Sequence, residues 1–159
     1  MTRTLGAVLG LFMTAGPTAL AADTSPTNGS SISIDQITDP TATVVFDMFR
    51  FEPNLVQLPE GGVLRFENSH GQHTVVSIKG LIPEGTEPIS ISNTQTADVE
   101  FAIPGLYVLS CKIHGRFGMA MIVSVGSAEE WRNPPEDWRR FPPGKTGEKV
   151  KELLEQLQR

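Results

Sequence analysis

The sequence has few cysteines, few histidines and no excess of positive charge. It contains one cysteine and three histidines, and its 13 lysines and arginines are outnumbered by 18 aspartates and glutamates, for a formal net charge of −5. A single cysteine cannot form an internal disulfide, and nothing in the charge distribution resembles a basic nucleic-acid footprint. These features exclude a disulfide-stapled domain and disfavour a nucleic-acid-binding protein.

Long apolar runs are also absent. The segment from Leu5 to Met13 is mostly apolar, but it is short and is followed by Gly16–Pro17, so it cannot span a bilayer. A positive charge at Arg3 precedes it, and Ala19–Leu20–Ala21 offers a small-residue cleavage site. This order is typical of a secretory signal peptide. We therefore predict a signal peptide over residues 1–21 and export, to the periplasm if the source is Gram-negative.

The remaining chain divides by composition into three parts. Residues 22–40 begin with a Ser/Thr/Pro-rich stretch and are predicted to be a flexible lead-in, and residues 127–159 form a Pro/Trp-rich segment and a C-terminal helix. Between them, residues 41–126 contain short runs of alternating polarity separated by Pro and Gly, a pattern that favours an all-β sandwich or small barrel. The clearest strand-like runs are Thr43–Phe51, Val63–Asn68, Thr74–Ile78, Thr96–Phe101, Leu106–Cys111 and Ala120–Val125.

The C-terminal helix is predicted to begin at Gly147, with Thr146 as its cap. An apolar stripe at helical spacing follows, formed by Val150, Leu153, Leu154 and Leu157. The stripe is expected to pack on the outside of the sandwich; the alternative is that it docks a partner or a second copy.

The only cysteine stands in a C-x2-H-x4-M motif made by Cys111, His114 and Met119. Thiolate, imidazole and thioether are ligands that hold copper, and one Cys, two His and one Met form the blue-copper set, with a His2Cys plane and a weak axial Met. A second histidine, His73, stands at the head of an apolar strand far upstream. We therefore predict a copper site formed by His73, Cys111, His114 and Met119.

The same residues allow other interpretations. Cys111 could be an inert buried residue, or a nucleophile paired with His114, although no oxyanion-stabilising motif accompanies it. Met121 is the rival of Met119, but it lies further into the strand and is expected to point into the core. His70 is the rival of His73, but it is expected to lie in an exposed loop.

From His73 to Gly126 the chain resembles the pseudoazurins, type 1 blue copper proteins of the plastocyanin/azurin (cupredoxin) superfamily. The shared sequence segments are Ile78–Gly85, the segment Pro104–Gly105–x–Tyr107–x3–Cys111 that leads to the cysteine, and the C-x2-H-x4-M motif. The resemblance implies an eight-stranded Greek-key β-sandwich, cupredoxin-like, with a C-terminal helical tail and one type 1 copper per chain. It also implies His73, Cys111, His114 and Met119 as the ligands.

The resemblance further implies a periplasmic electron carrier that docks redox proteins near His114, commonly copper nitrite reductase. Candidates for an apolar docking patch are Phe117, Ile113, Met48 and Leu81. The cations near such a patch are few, namely Lys79, Lys112 and Arg116, and this departs from the lysine-ringed patch of the family.

Three positions depart from the family pattern around the ligands. Pseudoazurins usually have Asn after the first His and Thr after the Cys, a pair that ties the two ligand loops together. Here these positions are Thr74 and Lys112, so that hydrogen bond is expected to be different or absent. Ile113 replaces a proline, and because proline has no N–H, we hypothesise that Ile113 offers an extra donor to the Cys111 sulfur and raises the reduction potential.

The sequence thus predicts a monomeric electron-transfer protein rather than an enzyme. Three histidines cannot also furnish a second, catalytic copper centre. The alternatives are a copper-delivery protein, whose Met/His-rich tracts are missing, and a cupredoxin-fold interaction module without metal, which would have a broken ligand set.

Overall fold

The computed structural model describes residues 31–69, 72–132 and 141–159. The predicted signal peptide and the rival ligand His70 lie outside the described residues, as do positions 133–140. The described strands are β1 (Ile32–Thr38), β2 (Phe49–Glu52), β3 (Leu55–Leu58), β4 (Gly62–Glu67), β5 (Val75–Ser77), β6 (Ser90–Ile91), β7 (Thr96–Phe101), β8 (Gly105–Ser110) and β9 (Ala120–Val125). The helices are α1 (Val45–Met48), α2 (Ala128–Trp131) and α3 (Lys145–Leu157), with a 3₁₀ turn at Gly115–Phe117.

These strands form two sheets, which confirms the predicted all-β sandwich with a C-terminal helix. One sheet has the order β2-β1-β4-β7 and the other β3-β9-β8-β5-β6. The resemblance implied eight strands, and the described residues contain nine. The chain passes from the four-stranded sheet to the five-stranded sheet at Pro53, because proline has no N–H to continue a ladder. The segment from Phe49 to Leu58 therefore contributes two strands, β2 to one sheet and β3 to the other.

Two predicted boundaries are wrong. Residues 32–38 were assigned to the flexible lead-in, yet they form β1, which pairs in parallel with β4 and buries Ile34 completely. The alternation of Ile32 and Ile34 with serines is a strand pattern that the polar composition before it obscured. The run Thr43–Phe51 was predicted as one strand, but Val45–Met48 makes the short helix α1 and the strand begins only at Phe49.

The main core fills the space between the two sheets. Its largest fully buried side chains are aromatic, and they come from both sheets: Phe51, Phe66, Phe101 and Tyr107. The hydroxyl of Tyr107 donates to the carbonyl of Ile103 at 2.7 Å, so its polar end is satisfied. This core reaches Cys111 and Met119 at one end of the sandwich, so two of the four predicted copper ligands are packed into it.

A second apolar cluster lies on the outer face of the five-stranded sheet. Every residue of β8 and β9 is buried, because the main core covers one face and α3 the other. Val150 and Leu153 of α3 are completely buried against Val108 and Ile122. The apolar stripe of the helix therefore packs on the outside of the sandwich, as predicted, and burial of one such leucine contributes roughly 1.5–3 kcal/mol.

The start of α3 differs from the prediction. The helix begins at Lys145, and Gly144 occupies the cap position without a side-chain cap among the described residues. Thr146 lies within the first turn, and its hydroxyl donates to the carbonyl of Gly115 instead. The prediction that Thr146 caps the helix used only its sequence neighbours. The partner of its hydroxyl lies 31 positions away along the chain, so local sequence could not identify it.

Candidate metal centre

Three neighbouring strands bring the predicted ligands together. His73 precedes β5, Cys111 directly follows β8, and Met119 directly precedes β9. β8 lies between the other two strands, and the register pairs Ser110 with Val76 on one side and with Ala120 on the other. The strand ends that carry the ligands therefore meet at one end of the five-stranded sheet.

The loop from Cys111 to Met119, here called the ligand loop, is closed by its own backbone. The N–H of Gly115 donates to the carbonyl of Cys111 at 2.7 Å, and the N–H of Cys111 donates to the carbonyl of Met119 at 3.1 Å. Gly118 adopts φ +96°, a left-handed conformation that favours glycine, and its N–H donates to the carbonyl of Gly115 at 2.7 Å. These bonds reverse the chain so that His114 turns back toward Cys111.

His73, Cys111 and His114 form a compact buried cluster. Their ligand atoms all lie within 4.8 Å of one another, and the distance from Cys111 Sγ to His114 Nδ1 is 3.8 Å. The three residues are only 8%, 1% and 5% exposed. A thiolate and two imidazoles at this separation, shielded from water, suit a copper ion.

The imidazole of His73 is held with one nitrogen free. Its Nε2 lies 2.9 Å from the hydroxyl of Thr38, whereas its buried Nδ1 has no hydrogen-bond partner in the part of the chain that the structure describes. The simplest assignment gives Nε2 the proton, which it donates to Thr38, and leaves the lone pair of Nδ1 for a metal. Burial also lowers the pKa of His73, which favours the neutral, metal-binding form. The residues present therefore fit a copper ion.

The surroundings of Cys111 favour its thiolate. Burial alone raises the pKa of this thiol, but hydrogen bonds from the backbone N–H groups of His114, Thr74 and Ile113 and from the Thr74 side chain bring the pKa below its ordinary value. The backbone N–H of Ile113 is among these contributions, and proline at this position would lack it; the effect of Ile113 on the reduction potential stays a prediction. A metal-binding thiol needs this deprotonated form.

The cross-loop hydrogen bond that the family departures put in doubt is present in a different form. The backbone N–H of Lys112 donates to the hydroxyl of Thr74 at 2.9 Å, and that hydroxyl donates to Cys111 Sγ at 3.8 Å. One hydroxyl therefore joins the segment after His73 to the segment after Cys111 and also contacts the sulfur.

Sequence reasoning missed two residues of the site, Thr38 and Phe49. The ring of Phe49 stacks face to face on His114, with centroids 3.9 Å apart and an interplanar angle of 3°. Neither residue belongs to a motif that could have identified it, since both come from the other sheet and reach the site through tertiary packing.

The surface near His114 differs in part from the expected docking patch. Ile113 is 43% exposed, while Phe117 and Met48 are partly buried. Leu81 was expected there but is only 4% exposed, because it packs in the second apolar cluster beneath α3. Lys79, Lys112 and Arg116 are exposed.

Both candidate methionines are completely buried in the main core. Met121 lies inside β9 and points into the core, as expected. Met119 closes the ligand loop through its backbone bonds with Cys111 and His114; its role as the fourth copper ligand stays a prediction.

Comparison with known proteins identifies relatives of the strand-rich region. The model of the family described as copper binding proteins of the plastocyanin/azurin family matches residues 41–126, more than half of the chain. The chain is 35% identical to pseudoazurin from Paracoccus pantotrophus over 80 residues, covering 50% of this chain and 55% of the relative. It is 34% identical to pseudoazurin from Methylorubrum extorquens over 83 residues, covering 52% and 56%. The chain thus spans about half the length of these relatives.

Solved structures are similar over a larger part of the chain. Pseudoazurin from Methylobacterium extorquens AM1 superimposes with a TM-score of 0.65 at 24% identity, covering 80% of this chain and 99% of that protein. Pseudoazurin from Hyphomicrobium denitrificans gives a TM-score of 0.64 at 19% identity, covering 80% and 98%. These similarities confirm the cupredoxin-like fold. Among the described residues, no helix is long and apolar enough to cross a membrane.

Proposed function

This chain belongs to the plastocyanin/azurin family of copper-binding proteins, and from that premise we propose that it binds one type 1 copper ion and carries single electrons between proteins. The proposal rests above all on one observation: His73, Cys111 and His114 form a buried cluster in which Nδ1 of His73 has no hydrogen-bond partner among the described residues. Bound copper would supply the one-electron couple. The protein would supply the geometry around it.

The proposed ligands have distinct tasks. Nδ1 of His73, Sγ of Cys111, Nδ1 of His114 and the thioether of Met119 would hold the copper ion. Thr38 orients His73 and Phe49 stacks on His114. Two of the proposed ligands are therefore held by residues of the four-stranded sheet. A site held rigidly in this way suits electron transfer, because little has to move when the charge on copper changes.

Electrons would enter and leave through His114. This residue lies between Phe49 and the partly exposed side of the ligand loop, where Ile113 and Phe117 offer an apolar contact area. The partner would be a redox protein, either copper nitrite reductase or another periplasmic oxidoreductase, and the carrier itself would be a periplasmic monomer without catalytic activity. Export would depend on the signal peptide predicted for residues 1–21.

The first test is spectroscopic. We expect the Cu(II)-loaded mature protein to show the intense visible absorption and the narrow copper hyperfine splitting in EPR that a copper–thiolate bond produces, and to be reduced reversibly. Cys111→Ala should lose the absorption. Bound copper with no such band in the parent protein would overturn the type 1 assignment and would favour copper delivery instead.

Docking is tested through its dependence on salt. If Lys112, Arg116 and Lys79 attract an acidic partner, the rate of electron transfer to a copper nitrite reductase should fall as ionic strength rises, because salt screens exposed charges. A rate that does not fall would argue against docking through these cations.

A further inference from the structure

We propose that the first turn of α3 is a positioning element of the metal site, in which Thr146 fixes the ligand loop through the carbonyl of Gly115. This inference rests on the proposed copper function, since it concerns how the same site is held. It assigns a role to the C-terminal helix, which otherwise only covers the outer face of the sheet.

The contact lies at the centre of the loop's hydrogen bonds. Thr146 Oγ1 donates to the carbonyl oxygen of Gly115 at 2.5 Å, and the same oxygen accepts the N–H of Gly118 at 2.7 Å. The N–H of Gly115 in turn donates to the carbonyl of Cys111 at 2.7 Å. The peptide units on either side of Gly115 therefore connect Cys111 to the turn at Gly118, and Thr146 attaches that connection to the helix.

The loop backbone is enclosed on more than one side. A Cβ atom added to Gly115 would lie 2.5 Å from Ser110 Oγ and 3.3 Å from Thr146 Oγ1. Ser110 Oγ itself donates to the carbonyl of Met119 at 3.0 Å. Gly115 therefore has room only for a hydrogen, because the end of β8 and the helix approach it from different directions.

The enclosure continues at Gly118. A Cβ atom there would collide with the ring of Phe46 from α1 and would lie 3.5 Å from the carbonyl oxygen of Lys145, the first residue of α3. The first turn of the helix thus faces both glycines of the ligand loop.

The position of Thr146 does not depend on the loop. Val150 and Leu153, further along α3, are completely buried in the second apolar cluster, so the sheet fixes the helix. Thr146 also has no capping task, since Gly144 occupies the cap position. A helix anchored elsewhere therefore presents one hydroxyl to the ligand loop, and this contact holds His114 and Met119 in place whether copper is present or not.

The experiment compares Thr146→Val, which replaces the hydroxyl with a methyl group, with Thr146→Ser, which retains the hydroxyl. In the copper-free protein, hydrogen exchange of the Gly115 and Gly118 amides should become about fivefold faster in the valine variant, the effect of losing one ordinary hydrogen bond. In the Cu(II)-loaded protein, the valine variant should shift the EPR hyperfine splitting and lose copper faster to a chelator. The serine variant should behave as the parent does in both measurements.

A matched control is Thr94→Val, which also removes a hydroxyl that donates to a carbonyl, that of Thr96 at 2.9 Å, on the exposed surface. It should change neither measurement. Unchanged hydrogen exchange of the Gly115 and Gly118 amides in Thr146→Val would overturn the proposal. An equal acceleration of exchange at the Val108 amide of β8 would also overturn it, because that would indicate a general loss of stability. The exchange experiment needs no copper, so its failure is distinguishable from failure of the copper function, which the spectrum of the parent protein decides.

Discussion

At the residue scale, the hydroxyl of Thr74 has two partners in the site. It accepts the N–H of Lys112 and donates toward Cys111 Sγ. A donor to the sulfur stabilises the reduced site, in which the thiolate keeps more negative charge. A single hydroxyl therefore both ties the two ligand segments together and adjusts the electronic properties of the sulfur.

Replacing Thr74 tests this role. Thr74→Val should lower the midpoint potential of the copper site by about 20 to 60 mV, the value of one net hydrogen bond in a one-electron couple. Spectroelectrochemical titration measures the change. Thr74→Ser keeps the hydroxyl and should remain close to the parent, whereas an unchanged or higher potential in the valine variant would contradict the assignment.

Ile113 contributes through its backbone rather than its side chain. Its N–H is one of the donors that lower the pKa of Cys111, and proline at this position would remove it. We expect Ile113→Pro to lower the midpoint potential by an amount similar to that of Thr74→Val. Ile113→Ala retains the N–H and serves as the control. A potential in the proline variant that stays the same or rises would refute the hypothesis.

At the scale of elements, the ligand loop packs closely against α1 at Gly118. Gly118 combines a left-handed φ of +96° with a collision between any Cβ and the ring of Phe46. The glycine is therefore required twice, first by its own backbone conformation and second by the approach of α1.

The two requirements can be separated experimentally. Gly118→Ala should destabilise the protein more than Gly80→Ala, because Gly80 has a similar φ of +79° but open space around it. The strained backbone alone costs about 1 kcal/mol or more, and the collision adds to it. Urea unfolding measures both variants. Phe46→Ala should recover part of the Gly118→Ala loss, and equal losses in the two alanine variants would show that α1 does not press on the loop.

At the scale of the whole molecule, the site connects the two sheets and the helix. Thr38 and Phe49 come from one sheet, Cys111 follows a strand of the other, and Thr146 comes from α3. Metal binding should therefore stabilise the entire domain, because the ligands converge only in the folded state.

We expect copper to raise the melting temperature of the mature protein, and a chelator to reverse the increase. At free copper a thousandfold above the dissociation constant, the stabilisation would be about 4 kcal/mol. Calorimetry with and without copper measures the shift. Cys111→Ala should show a much smaller increase, and an equal increase in that variant would mean that copper binds elsewhere.

The sequence was sufficient for the ligand cluster because the relevant residue types are so rare in it. With one cysteine and three histidines, few combinations were available, and the C-x2-H-x4-M spacing fits a loop that turns back between two strands. The prediction that Leu81 belongs to the docking patch was wrong, because leucine is a common residue with no specific chemistry. Leucine suits both a surface patch and a buried cluster, and only the packing of α3 decides between them.

The sequence by itself determined the fold class, the meeting of His73, Cys111 and His114, and the apolar stripe of the final helix, because each depends on periodicity or on scarce chemical types. Tertiary structure alone decided that β1 pairs in parallel with β4, that Thr38 and Phe49 hold the two imidazoles, and that Thr146 contacts Gly115 rather than capping its own helix. These contacts join residues far apart in the chain. Their existence depends on strand register and helix packing, which no local pattern specifies.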